Sequence, residues 1–116
     1  MGYRSDIRIR TTKKGYEIIK KEVEKKTPKD YANVMQFAEI NFKENNEIVT
    51  IDFIYLKWYE CFEDVQAVMN SLEILKKKNI DFQFMRIGEE LTDIEEIWNV
   101  YNESFETFCC NRYFEN

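Results

Sequence analysis

Apolar side chains recur at two different intervals along this chain, and the order of those intervals narrows the folds open to it. From Asp6 to Thr11 the period is two: Ile7 and Ile9 face one way, Asp6, Arg8 and Arg10 the other. That pattern predicts a half-buried strand. Thr11 and Thr12 then offer a helix N-cap, and Tyr16, Ile19 and Val23 follow at spacings of three and four. The other face of that helix carries Lys13, Lys14, Lys20, Lys21, Lys25 and Lys26, and Pro28 stops it. Met35 to Phe42 is rich in strand formers. The polar run from Lys43 to Glu47 reads as a turn, with Asn at its centre where left-handed backbone is tolerated. Ile48 to Leu56 is β-branched, aromatic and nearly continuous in apolar character, as suits a central strand. Residues 35–56 therefore predict a β-hairpin.

The helical interval returns after Asp64, which reads as an N-cap. Val65, Val68, Met69, Leu72 and Leu75 form the apolar stripe. Lys76, Lys77 and Lys78 suit the negative end of the helix dipole, and Asn79 suits a left-handed terminator. Phe82 to Ile87 alternates again, with Phe82, Phe84 and Arg86 on one face and Gln83, Met85 and Ile87 on the other; Gly88 ends it. In residues 89–106 the spacing of Ile94, Ile97 and Tyr101 fits a short helix, and an extended arm fits the same residues. Phe105 to Phe114 alternates aromatics and cysteines with small or polar residues, which predicts a last strand. The order is strand, helix, strand, strand, helix, strand, then one more. It predicts an α+β fold: a ferredoxin-like βαββαβ sandwich with an additional C-terminal antiparallel strand.

The 116 residues make one domain, expected to span 1–116. A chain of this length buries roughly two-thirds of its unfolded surface and needs no metal or disulfide to fold. With 3 Gly and 1 Pro there is little material for long linkers. No apolar run approaches the roughly 18 residues that span a bilayer, so no membrane association is expected. Arg4, Arg8 and Arg10 are not followed by an apolar stretch, which argues against a secretory signal and for the cytoplasm. The 3 cysteines, Cys61, Cys109 and Cys110, are an odd number without a CxxC pair. They read as reduced thiols, at least one of them buried.

Charge is unevenly spread. Up to Trp58 the chain carries 12 Lys and Arg against 9 Asp and Glu; beyond it, 5 against 13. Between Ile87 and Glu106 stand Glu89, Glu90, Asp93, Glu95, Glu96, Glu103 and Glu106, with no Lys or Arg among them. A solvated acidic loop would have this composition. So would an anionic docking surface for a basic groove on a partner. Ile94, Ile97, Trp98 and Tyr101 interleave with the acids, which is the make-up of an interface core, although Ile94 reads better as a core tether. The candidate partner-binding residues are thus Glu89, Glu90, Asp93, Glu95, Glu96, Trp98 and Tyr101. The lysines of the first helix could instead contact phosphates. Glu17, Glu22 and Glu24 offset them, and the Gly-flanked aromatic strand of RNA-recognition domains is missing, so nucleic acid is the less favoured partner.

Nothing in the chain marks an enzyme. His is absent, which removes the commonest general base and metal ligand. There is no P-loop, no GxGxxG and no nucleophile elbow. The acids of 89–96 lack the spacing of a calcium loop. No cofactor and no metal are expected, and nothing in the sequence chooses between a monomer and a homodimer.

Three short motifs carry a resemblance. Met1-Gly2-Tyr3-Arg4-Ser5-Asp6 opens the chain, Lys57-Trp58-Tyr59-Glu60 stands at its centre with Val65 following, and Arg86-Ile87-Gly88-Glu89 precedes Asp93-Ile94-Glu95. In this order they resemble a family of small phage and prophage proteins of unassigned function. The tail, 105–116, is more aromatic and cysteine-rich than that family's closing strand. The resemblance implies a phage-encoded accessory protein acting inside a bacterial host cell. By analogy of size and charge it is similar to anti-CRISPR inhibitors, some of which fill a nuclease channel with carboxylates. The partner so implied is a basic host protein such as a CRISPR-associated nuclease. Trp58 and Tyr59 are expected to pack under the second helix, and Arg86 to pair with an acid such as Glu60 or Asp64.

Overall fold

The computed structural model describes residues 2–27, 33–43, 47–90, 92–102, 105, 107 and 108. Strand β1 (Ser5–Thr12) occupies the centre of the sheet because it pairs on both sides, with β3 (Ile48–Leu56) and with β4 (Phe82–Ile87). Strand β2 (Glu39–Lys43) lies outside β3 and β5 (Ile94–Asn99) outside β4, giving the order β2-β3-β1-β4-β5 with every pairing antiparallel. Helices α1 (Lys13–Lys26) and α2 (Glu63–Lys77) pack beside each other. The protein is therefore α+β, with two α-helices and a five-stranded antiparallel sheet among the described residues.

Register sets the core. Ile9 stands opposite Ile51 on one side and Phe84 on the other, and Ile7 opposite Phe53. These side chains share one buried cluster with Ile19 and Val23 of α1 and Val68, Leu72 and Leu75 of α2. The alternation expected for β1 holds, but the strand is buried on both faces rather than one. Arg8 and Arg10 are only 5% and 3% exposed. Their charges tolerate burial because Asp52 grips the Arg8 guanidinium at 2.7 and 2.9 Å, and Arg10 Nε donates to the Thr50 hydroxyl at 3.0 Å. The ring of Phe108 lies over both guanidinium groups, 5.7 Å from Arg8 and 5.6 Å from Arg10. Phe108 also packs with Met85 and Ile87.

Local signals act as anticipated in α1, where the Thr12 hydroxyl accepts from the Gly15 amide. They do so again after α2, where Asn79 adopts a left-handed φ of 58°. Helix α2 departs from expectation at its start. Phe62, not Asp64, holds the N-cap position and makes no side-chain cap bond. Asp64 lies inside the first turn, where its carboxylate accepts from the Val65 amide and complements the dipole. The first arm of the predicted hairpin is shorter than expected. Val34–Phe37 forms a 3-10 turn, because the Asn33 side chain accepts from the Met35 amide and starts it.

Of the helix and the extended arm considered for residues 89–106, the described residues form no helix and are extended over Ile94–Asn99. That segment supplies β5, paired with β4 from Phe82↔Asn99 to Ile87↔Ile94. Ile97, opposite Phe84, packs against the core; Ile94, the expected tether, is 40% exposed. The fifth strand thus arises earlier than the anticipated one at 105–114. Of that stretch Phe105, Thr107 and Phe108 are described, outside any strand, with Phe105 and Phe108 buried. Its remaining positions, Cys109 and Cys110 among them, lie outside the described residues, as do Pro28 and positions 44–46 of the predicted turn. Among the described residues no helix is long and apolar enough to cross a membrane.

Candidate functional site

Arg86 is the hub of the region that the acidic segment builds. It sits near the end of β4 on the face turned toward the helices, and the antiparallel register sets Glu95 directly across from it. Its Nε donates to Glu95 Oε1 at 3.0 Å. Nη2 and Nη1 donate to the two carboxylate oxygens of Asp93 at 2.7 and 3.1 Å, and Nη1 also reaches the Ser5 hydroxyl at 3.1 Å. Arg86 was expected to pair with Glu60 or Asp64. The turn after Gly88 explains the difference, because Gly88 N–H donates to the Asp93 carbonyl at 2.8 Å and folds Asp93 back onto Arg86. The hydrogen bond to Asp93, and then that to Glu95, hold the guanidinium charged well beyond its ordinary range. A Cβ at position 88 would run into the Asp93 carboxylate and the Tyr3 hydroxyl and push both groups aside.

The N-terminal segment locks this turn. Tyr3 Oη donates to Asp93 Oδ2 at 2.6 Å and accepts from the Glu90 amide at 3.0 Å. The Arg4 amide donates to the Glu89 carboxylate. Asp6 accepts from the amide of Tyr55, which has a left-handed φ of 55°. The bond to Asp93, above all, raises the Tyr3 phenol above its ordinary pKa. A Cβ on Gly2 would meet the Tyr59 hydroxyl and the Lys57 stem. Residues of all three motifs singled out in the sequence, Tyr3, then Trp58 and Glu60, then Arg86, Asp93 and Glu95, therefore meet in space.

They meet around a hollow of about 260 Å³ lined by Tyr3, Trp58, Glu60, Met69, Arg86, Asp93 and Glu95. Trp58 packs against the core with its ring 5.1 Å from that of Phe53, and Tyr59 stacks on Phe62 at 5.2 Å. A second hollow, about 380 Å³, shares Glu60 and Met69 and continues along α2 past Val65, Gln66 and Asn70.

The seven residues proposed from sequence divide into groups. Asp93 and Glu95 turn to the helix side and bind Arg86. Glu89 and Glu90 are exposed in the turn. Glu96 and Trp98 fall on the opposite face of β5, where the indole N–H donates to the Glu96 carboxylate at 3.1 Å. Trp98 is 48% and Tyr101 64% exposed, the latter held through its amide by the Asp81 carboxylate at 2.6 Å. Glu103 and Glu106 lie outside the described residues. Sequence reasoning did not assign a binding role to Tyr3, Trp58, Glu60 or Met69. Three of these stand in the motifs or beside them, which was the available signal. Met69 carried none, being one of five apolar residues in a helical stripe.

The lysines of α1 stand exposed, with Glu17 and Glu24 exposed among them. Among the described residues no group of His, Cys, Asp and Glu is placed to hold a metal ion. Cys61 is exposed and free, and Cys109 and Cys110, on which the expectation of at least one buried thiol then falls, lie outside the described residues. No protein-family model, no curated protein and no solved structure matches this chain.

Proposed function

We propose that this chain is a non-catalytic protein-binding module that docks a basic surface of another protein through the acidic edge formed by the β4–β5 turn and β5. The observation that carries the reading is a row of exposed groups along one edge of the sheet: Glu89 and Glu90 in the turn at one end of β5, Glu96 beside Trp98 on the strand, and Tyr101 beyond its other end. Aromatic anchors beside like charges give both orientation and contact area. The partner this chemistry fits is a basic host protein, a defence nuclease of the CRISPR-associated type, and the role is that of a stoichiometric inhibitor in the bacterial cytoplasm. Absence of His and of any catalytic motif from the sequence supports a non-enzymatic role. We also infer a ferredoxin-like class for the fold. In support, its first four strands follow the spatial order β4-β1-β3-β2, with β5 added beyond β4.

Asp93 and Glu95 are internal partners of Arg86, so the docking charge rests on the other three acids. Reversing Glu89, Glu90 and Glu96 together to Lys leaves the Arg86 pairs intact and tests the reading directly. Tagged wild-type chain and the triple variant are used for affinity capture from host cells, with circular dichroism as the control for folding. A partner held by the wild type and lost by the folded variant is the expected result. Equal capture by both discards the acidic edge.

A further inference from the structure

We propose that the hollow enclosed by the three motifs is a socket for one cationic side chain, the guanidinium or ammonium of an Arg or Lys on a partner protein. This rests on the reading above only in taking the partner to be basic, and adds a second contact on the helix side of β5, formed by acids other than Glu89, Glu90 and Glu96. Three carboxylates line the hollow, those of Glu60, Asp93 and Glu95, against one guanidinium, that of Arg86. Arg86 has little left to offer an anion: four of its hydrogen bonds already go to Asp93, Glu95 and Ser5. An anion entering here would face the surplus of negative charge, whereas a cation would relieve it. Glu60 is exposed and its carboxylate makes no hydrogen bond or ion pair with the described residues, so it is ready to meet a guest. Glu95 contacts Arg86 through Oε1 alone.

The walls suit the rest of such a side chain. Trp58 and Tyr3 are aromatic, and a cation is drawn to the face of a ring. Met69 offers an apolar surface for the methylene stem. Partial enclosure lowers the effective dielectric and strengthens the attraction between guest and carboxylates.

The test is a titration of the ¹⁵N-labelled full chain with Nα-acetyl-arginine amide and with Nα-acetyl-lysine amide, following both indole N–H resonances. Nα-acetyl-citrulline amide serves as the uncharged counterpart of arginine. The expected result is a saturable shift at Trp58 from a charged probe, none at Trp98, and none from citrulline. Glu60→Gln should weaken the binding roughly tenfold, the loss of one hydrogen bond to a charged group. No saturable shift at Trp58, an equal response to citrulline, or unchanged affinity in Glu60→Gln would overturn the proposal. An arginine-rich peptide separates this failure from that of the wider reading. If the peptide moves the amides of Glu89, Glu90 and Glu96 but not Trp58, the socket is wrong and the acidic edge stands. If it moves neither, both are wrong.

Discussion

Tyr3 and Asp93 lie 90 positions apart and share a hydrogen bond of 2.6 Å from phenol to carboxylate. The bond ties the start of the chain to the turn before β5 and fixes the protonation state of the ring. Ionised tyrosine would set two negative charges against each other, so the fold favours the neutral phenol. Because the folded pKa lies above the ordinary 10.0, the bond contributes in full below that pH and is lost as pH rises through the raised value. Titration of labelled tyrosine rings by NMR should show Tyr3 ionising late. Asp93→Asn should bring it back toward the ordinary value. An unshifted Tyr3 in the wild type would contradict the contact.

Arg8 and Asp52 make a bidentate pair whose side chains are 7% and 9% exposed. Removing one charge leaves the other stranded in the interior. Asp52→Asn should therefore lower stability by about 3 kcal/mol in urea unfolding. The double variant Arg8→Met, Asp52→Leu should recover most of that loss, because neither buried charge remains to be compensated. A single variant as stable as wild type would mean that water reaches the pair.

What the sequence conveyed about this fold depended on whether a feature acts locally. Alternation placed Ile7, Ile9, Phe82 and Phe84 on the core side because a strand's period is a property of its own backbone. Asn79 as terminator and Thr12 as cap were legible for the same reason. Asp64 as cap was not: the first turn of a helix accepts a carboxylate at several positions, so the residue type alone does not mark where the helix begins. The burial of Arg8 and Arg10 was hidden because their cover, Phe108, comes from nearly 100 positions away in sequence. The partners of Arg86 were misread because Gly88 turns the chain back, a contact no periodicity encodes. The acidic segment was recognised as a unit by composition. Its division between two faces of β5 was not, because the alternatives considered for it were a helix and an arm.

The residue after α2 gives a clean backbone test. Asn79 has φ of 58°, a conformation open to glycine and tolerated by asparagine. Asn79→Ala should cost about 1 kcal/mol through Cβ strain, while Asn79→Gly should change stability by no more than about 0.5 kcal/mol. Thermal unfolding of the pair against wild type reads the difference directly. Equal effects of Ala and Gly would locate the cost in a lost side-chain contact rather than in the backbone.

Phe108 should behave as a core residue although it lies beyond the last described strand. It packs with Met85 and Ile87 and covers two arginines, and its backbone is bracketed by one side chain. Gln83 Nε2 donates to the Phe108 carbonyl at 3.1 Å, and the Phe108 amide donates to Gln83 Oε1 at 2.9 Å. Those two bonds use backbone atoms and survive truncation of the ring. Phe108→Ala should therefore cost about 3 kcal/mol from lost burial and the cavity left behind. Phe108→Leu should recover part of this, since leucine keeps the contact with Met85 and Ile87 but not the ring over Arg8 and Arg10. Urea unfolding of the three chains orders them wild type, Leu, Ala. If the alanine variant loses less than about 1 kcal/mol, the ring does not seal the sheet, and the burial of Arg8 and Arg10 must have another cause.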